Sequence, residues 1–176
     1  MALTPEDRVW TAQPFFWSAG ICMSLGATLA AGATLVLQEH FEPGAALELI
    51  EAERATALHC WPHQGQAMGE HPEAADRDLS AVTKVEFKSA LGRLVGLSKD
   101  QWGIYCSYGL SETFTMASAL PSWASPAMRV ASSGQALAGT ELRIVDPETG
   151  AELSQGEKGE IAVRGLTLMR GYAKVA

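Results

Sequence analysis

The sequence has no basic cluster: its 13 Lys and Arg stand against 20 Asp and Glu, for a net charge of -7. That excludes a reader of nucleic-acid phosphates, which needs cations gathered on one face. Its three cysteines, Cys22, Cys60 and Cys106, are far apart. Neither a disulfide framework nor a metal spacing follows from them, and reduced core thiols of a cytoplasmic protein are expected. His59 and His63 stand four apart, but Pro62 between them spoils a two-histidine helix face. No GxGxxG and no GxxxxGK[ST] is present, which excludes a dinucleotide fingerprint and a Walker loop. Ser24 and Ser111 lack the flanking glycines of a nucleophile elbow. Internal repeats and low-complexity tracts are also missing. Glu6 and Asp7 sit where a secretory signal would carry positive charge, which disfavours one.

Charge of either sign is absent from Val9 to Gln38, a stretch long enough to cross a bilayer. Pro14, Gly20, Gly26, Gly32 and many Ala, Ser and Thr make it weakly lipophilic, so a buried strand-helix-strand unit competes with a transmembrane helix.

What is there suits a globular domain: 47% of residues are hydrophobic and 19% charged, in a chain of 176. Val9 to Phe16 predicts a buried strand, Ala19 to Ala31 a small-residue helix stopped by Gly32, and Ala33 to Gln38 a second strand. Pro43 opens a helix to about Arg54, with Ala46, Leu49 and Ile50 at helical spacing and Glu48, Glu51 and Arg54 facing water. Ala55 to Trp61 predicts a third strand, ended by Pro62. Strand-helix-strand-helix-strand implies parallel pairing through crossover helices. Gly65 to Asp78 predicts a helix and a polar loop broken at His71-Pro72. Further strands are expected at Val82 to Phe87 and Gly103 to Ser107. After Pro121 to Pro126 the rhythm changes. Glu141 to Val145 and Glu160 to Arg164 predict antiparallel strands, with turns at Asp146 to Gly150 and Gly156 to Gly159. The expected organisation is an α/β module over residues 1–125, built on a parallel sheet with crossover helices. The start of an antiparallel β-barrel-like subdomain follows over 126–176.

The chemistry concentrates in Ser107-Tyr108-Gly109-Leu110-Ser111-Glu112-Thr113. A ring can stack on a planar base, a glycine admits close backbone approach or positive φ, a hydroxyl can donate to phosphate, and a carboxylate can hold Mg²⁺. The competing reading is a turn with Ser111 capping the next helix, which needs only one of these residues. On the residues alone the two stand level.

Tyr108 to Glu112 resembles the Tyr-Gly-x-Thr/Ser-Glu motif of the acyl-adenylate-forming superfamily: acyl-CoA synthetases, peptide-synthetase adenylation domains and luciferases. Gln13-Pro14-Phe15-Phe16-Trp17-Ser18-Ala19-Gly20 is similar to its Pro-x-Phe-His-x-x-Gly segment. Gly32 to Leu37 with Phe41-Glu42-Pro43 resembles the next strand and helix start, and Asp78-Leu79-Ser80 the approach to the strand after. Gly134 to Gly139, Glu141 to Asp146, and Gly159-Glu160-Ile161 with Gly165 and Gly171-Tyr172 resemble the β subdomain and its GEI-x3-G-x5-GY motif. The resemblance implies that Tyr108 stacks on adenine and Gly109 supplies the turn. Ser111 would contact the α-phosphate, and Glu112 would coordinate Mg²⁺, the two acting as catalytic residues. It places Ser89 and Ala90 beside adenine, and Trp17 and Ser107 in the acyl pocket. It implies ATP, Mg²⁺ and CoA as co-substrates and a small carboxylic acid as partner, with no nucleic acid and no stable membrane insertion.

The chain departs from that pattern in places. Trp17 stands for the usual His, Lys88-Ser89-Ala90-Leu91 for Gly-Gly-Ala-Pro, and Ala136 and Ala138 for prolines. Part of a helix is missing before Tyr108. On the resemblance, a Ser/Thr/Gly-rich phosphate loop is expected before residue 1. A Thr-Gly-Asp ribose grip and a domain with a catalytic lysine are expected after Ala176. The expectation is therefore an internal fragment of a carboxylate-CoA ligase, completed by a complementary chain. An inactive remnant and a binding or membrane-associated module are the alternatives.

Overall fold

A computed structural model describes residues 3–86, 88–97, 107–121 and 124–173. The chain forms two compact units, Met1–Gly103 and Ile104–Ala176.

In the first unit, three parallel strands lie in the order β2-β1-β3: β1 (Arg8–Thr11), β2 (Thr34–Leu37) and β3 (Ala57–His59). Register runs Val9 to Leu35 on one side and Val9 to Ala57 on the other. The charge-free stretch is therefore a strand-helix-strand unit. Among the described residues, no helix is long and apolar enough to cross a membrane. β1 ends at Thr11, five residues short of the expected Phe16, and Pro14, which has no N–H to donate, sits in the turn beyond it.

The first crossover opens as a π-helical segment, Gly20–Gly26, and continues as α1, Ala27–Ala31. Wider i→i+5 turns were not predicted, because hydrophobic periodicity does not separate them from an α-helix. Gly32 ends α1 in the left-handed conformation, φ 68°, as expected. Gly20 is fixed by space: a Cβ there would lie 2.2 Å from the Pro14 carbonyl oxygen.

α2 (Pro43–Ala52) carries Pro43 in its first turn, and the Glu42 carboxylate accepts from the N–H groups of Gly44 and Ala45. It buries Ala46, Leu47 and Ile50. α3 (Pro62–Gly69) starts at the proline expected to end the third strand, three residues before the expected Gly65. The predicted strand at Val82 to Phe87 reduces to one parallel bridge, Ala57 to Lys84; Phe87 lies outside the described residues. α4 (Ala90–Leu94), not foreseen, packs on α3 at Gly69, where a Cβ would meet the Leu91 nitrogen at 2.3 Å. The core joins Trp10, Leu47, Ile50, Leu58, Met68, Val85 and Leu91, all essentially without solvent contact.

The second unit is antiparallel. β4 (Ser107–Tyr108), β5 (Ser118–Ala119) and β6 (Gln135–Ala136) form one sheet, with α5 (Pro126–Ala131) between β5 and β6. β7 (Thr140–Val145) pairs with β8 (Glu160–Gly165) along their full lengths. No closed barrel forms among the described residues. The expected strand from Gly103 lies outside the described residues up to Cys106. Its last residue, Ser107, belongs to β4, whose partner is antiparallel rather than parallel.

Candidate functional site

Between β4 and β5 the chain folds back on itself within nine residues. Tyr108 pairs with Ser118, and its carbonyl accepts from the Ala117 N–H at 2.8 Å. The Leu110 carbonyl accepts from Thr115 at 2.9 Å. Gly109 is not among the residues of positive φ, so its need is spatial. A Cβ would stand 1.9 Å from the Thr115 carbonyl oxygen.

Ser111 does not cap a helix; it opens a short 3-10 turn, Ser111–Thr113. Thr113 stabilises that turn: its buried hydroxyl accepts from the Leu110 N–H at 2.9 Å and donates to the Leu110 carbonyl at 3.1 Å. The turn is followed by two non-glycine residues at positive φ, Phe114 at 51° and Thr115 at 84°. For a β-branched residue that is a strained conformation. The Thr115 hydroxyl is also buried, with no partner among the described residues.

The loop thus presents Ser107 and Ser111 exposed, Tyr108 half-buried and Glu112 half-buried. Glu112 is tied to a segment 60 residues downstream: the Tyr172 hydroxyl donates to its carboxylate, and the Met169 N–H donates to its carbonyl at 2.8 Å. The Tyr172 hydroxyl, then Glu112's own N–H, hold its carboxyl below the usual range against slight desolvation. It is ionised at neutral pH. Among the described residues, no three His, Cys, Asp or Glu converge as a metal cage. One fixed carboxylate beside an exposed hydroxyl fits Mg²⁺, which takes few protein ligands and completes its shell with phosphate oxygens and water.

Trp17, Ser89 and Ala90 belong to the first unit. Trp17 is 48% exposed and meets Phe16 edge-on, with ring centroids 5.8 Å apart. Ser89 caps α4: its hydroxyl accepts from the Gly92 N–H at 2.9 Å and donates to the Glu86 carbonyl at 2.6 Å. Ala90 is buried.

A buried polar network at the carboxyl ends of β1 and β3 was not foreseen. Thr11 donates to the His59 carbonyl at 3.0 Å, and Ser24 donates to Thr11 at 3.2 Å. Ser24 is also in close contact with His59 Nδ1, the imidazole tautomer deciding which of the two donates. Gln13 joins this network through its N–H to Thr11 and its side-chain amide to Gln64. Neither this network nor the Tyr172 contact has a sequence signal, since each joins residues far apart in the chain.

Comparison with known proteins gives a consistent picture. The sequence pattern described as AMP-binding enzyme matches residues 1–173. The chain is 32% identical over 177 residues to feruloyl-CoA synthase of Amycolatopsis sp, covering 97% of this chain and 35% of that protein. It is 30% identical over 186 residues to 4-coumarate--CoA ligase 1 of Oryza sativa subsp. japonica, covering 98% of this chain and 32% of that protein. Among solved structures, ATP-bound MatB from Rhodopseudomonas palustris superposes with a TM-score of 0.70 at 27% identity, over 98% of this chain and 34% of that one. The chain spans about a third of the length of the curated relatives it matches.

Proposed function

The chain belongs to the AMP-binding enzyme family, and from that premise we propose that it carries the adenylate-facing part of an ATP-dependent, AMP-forming carboxylate-CoA ligase. The observation that carries this reading is the Tyr108 to Glu112 loop. It holds an aromatic ring, an exposed hydroxyl and an ionised, tethered carboxylate within five residues. Tyr108 stacks on adenine, the Ser111 hydroxyl donates to an α-phosphate oxygen, and Glu112 is the protein ligand of Mg²⁺. When bound, that cation neutralises charge on the phosphates. Ser89 contributes to the adenine side through its main chain, its hydroxyl being committed to α4; Ala90 lies beside it. Trp17 and Ser107 border the acyl group.

In the reaction so proposed, a carboxylate oxygen attacks the α-phosphorus of ATP, and the bond to pyrophosphate breaks. The sulfur of CoA then attacks the acyl carbon, its proton is lost, and AMP leaves. The relatives are named for ferulate and coumarate, so aryl acids are the first substrates to try. The matched relatives are about three times longer. The proposed setting is the cytoplasm; Cys22 and Cys60 are free thiols.

ATP-pyrophosphate exchange with a panel of carboxylic acids tests this. Exchange lost in Ser111→Ala and in Glu112→Ala is the expected result. Exchange that survives both substitutions sinks the assignment of the loop.

A further inference from the structure

We propose that Tyr172 is a positioning residue for Glu112: its hydroxyl fixes one carboxylate oxygen and so holds the carboxylate in place for the divalent cation that accompanies bound nucleotide. The inference rests on the metal reading of Glu112 above and deepens it. Glu112 is held at two points by one short segment. The Met169 N–H takes its carbonyl at 2.8 Å, and the Tyr172 hydroxyl takes its carboxylate. Pinning main chain and side chain together fixes the direction of a carboxylate on a flexible stem. Gly171, at φ 141° with open space around it, makes the bend that brings Tyr172 round to Glu112. A carboxylate has about four lone-pair sites, so the Tyr172 hydroxyl and Glu112's own N–H still leave it free to act as a ligand.

The tyrosine ring itself is 62% exposed. What the contact offers is therefore its hydroxyl, not packing, and Tyr172→Phe keeps the ring while deleting that group. Outer hydrogen bonds to metal ligands typically carry roughly 10- to 100-fold of metal affinity.

The test is binding of Mn²⁺, standing in for Mg²⁺, to the full chain with saturating ATP, read by electron paramagnetic resonance of the free ion. Metal-free ATP binding and thermal midpoint are measured alongside. The expected result is about tenfold weaker Mn²⁺ binding in Tyr172→Phe, with metal-free ATP binding and midpoint unchanged. Gly171→Ala, whose backbone disfavours a side chain, should shift Mn²⁺ binding the same way. Wild-type Mn²⁺ affinity in Tyr172→Phe, with Glu112→Gln having lost it, overturns the positioning role and leaves the metal reading standing. A Tyr172→Phe loss shared equally by metal-free ATP or by the midpoint makes the contact a structural staple and overturns it too. Normal Mn²⁺ binding by Glu112→Gln, or none by the wild-type chain, removes the metal reading and this inference with it.

Discussion

Gly109 and Thr115 lean on each other across the turn of the candidate site, and their requirements are opposite. Gly109 has no room for a side chain, since a Cβ would fall 1.9 Å from backbone oxygen. Thr115 has a side chain where the backbone disfavours one, at φ 84°. Gly109→Ala must push the loop apart and is expected to destabilise the chain by about 2–3 kcal/mol. Thr115→Gly relieves strain and an orphaned hydroxyl, and is expected to stabilise by about 1 kcal/mol. Urea denaturation of both variants checks this; a Gly109→Ala midpoint at the wild-type value would contradict the crowding. The value of a glycine here was legible in the sequence, and its cause was not. Sequence offers positive φ and close approach as equal explanations, and only the position of the Thr115 carbonyl separates them.

Element order in the first unit was legible because each signal was local: the charge-free run, Gly32 as a stop, Pro43 as a start. Element ends were not, because strands stop where partners stop. Ala55 and Trp61 have strand-forming surroundings, yet only Ala57 to His59 lies opposite β1. The π-helical segment shows the same limit. Its Ser24 is fully buried against Thr11 and His59, contacts that cross 13 and 35 residues. The network predicts an acid response. Burial pushes His59 down from its ordinary 6.5 to about 4. Between those values the unfolded chain binds a proton that the folded chain refuses, so folding stability is whole above pH 6.5 and falls as pH drops toward 4. Two and a half units correspond to about 3 kcal/mol. His59→Asn keeps a polar side chain toward Ser24 but does not titrate. Its urea midpoint should lose the wild-type slope between pH 6.5 and 4, and an unchanged slope would assign the response to other groups. Asp7 contributes at lower pH. Burial raises its pKa, but Lys84, Thr56 and the Thr4 N–H together hold it below 3.8. Its stabilisation is lost only as pH falls through that lower range.

Across the whole chain, burial is unequal, and this sets where the molecule opens first. The connected hydrophobic cluster lies entirely in the first unit, around Trp10, Leu47 and Leu58. In the second unit, β7 and β8 share a full ladder, yet none of their residues is buried, and Ile144 and Ile161 are 37% and 40% exposed. Hydrogen bonds alone contribute modestly when water competes for them, and opening energies follow buried apolar contact. Native-state hydrogen exchange should therefore find β1 and β3 amides exchanging slowest and β7–β8 amides fastest. The Ala117 amide, bonded to Tyr108 and fully buried, should lie between them. The Tyr108 to Glu112 loop is fastened to β5 and to the Met169 to Tyr172 segment, all within the second unit. Leu47→Ala in α2, expected to cost about 3 kcal/mol, should speed exchange in β1 and β3 while leaving Ala117 and Met169 at wild-type rates. If all four sites accelerate together, the two units unfold in one cooperative transition.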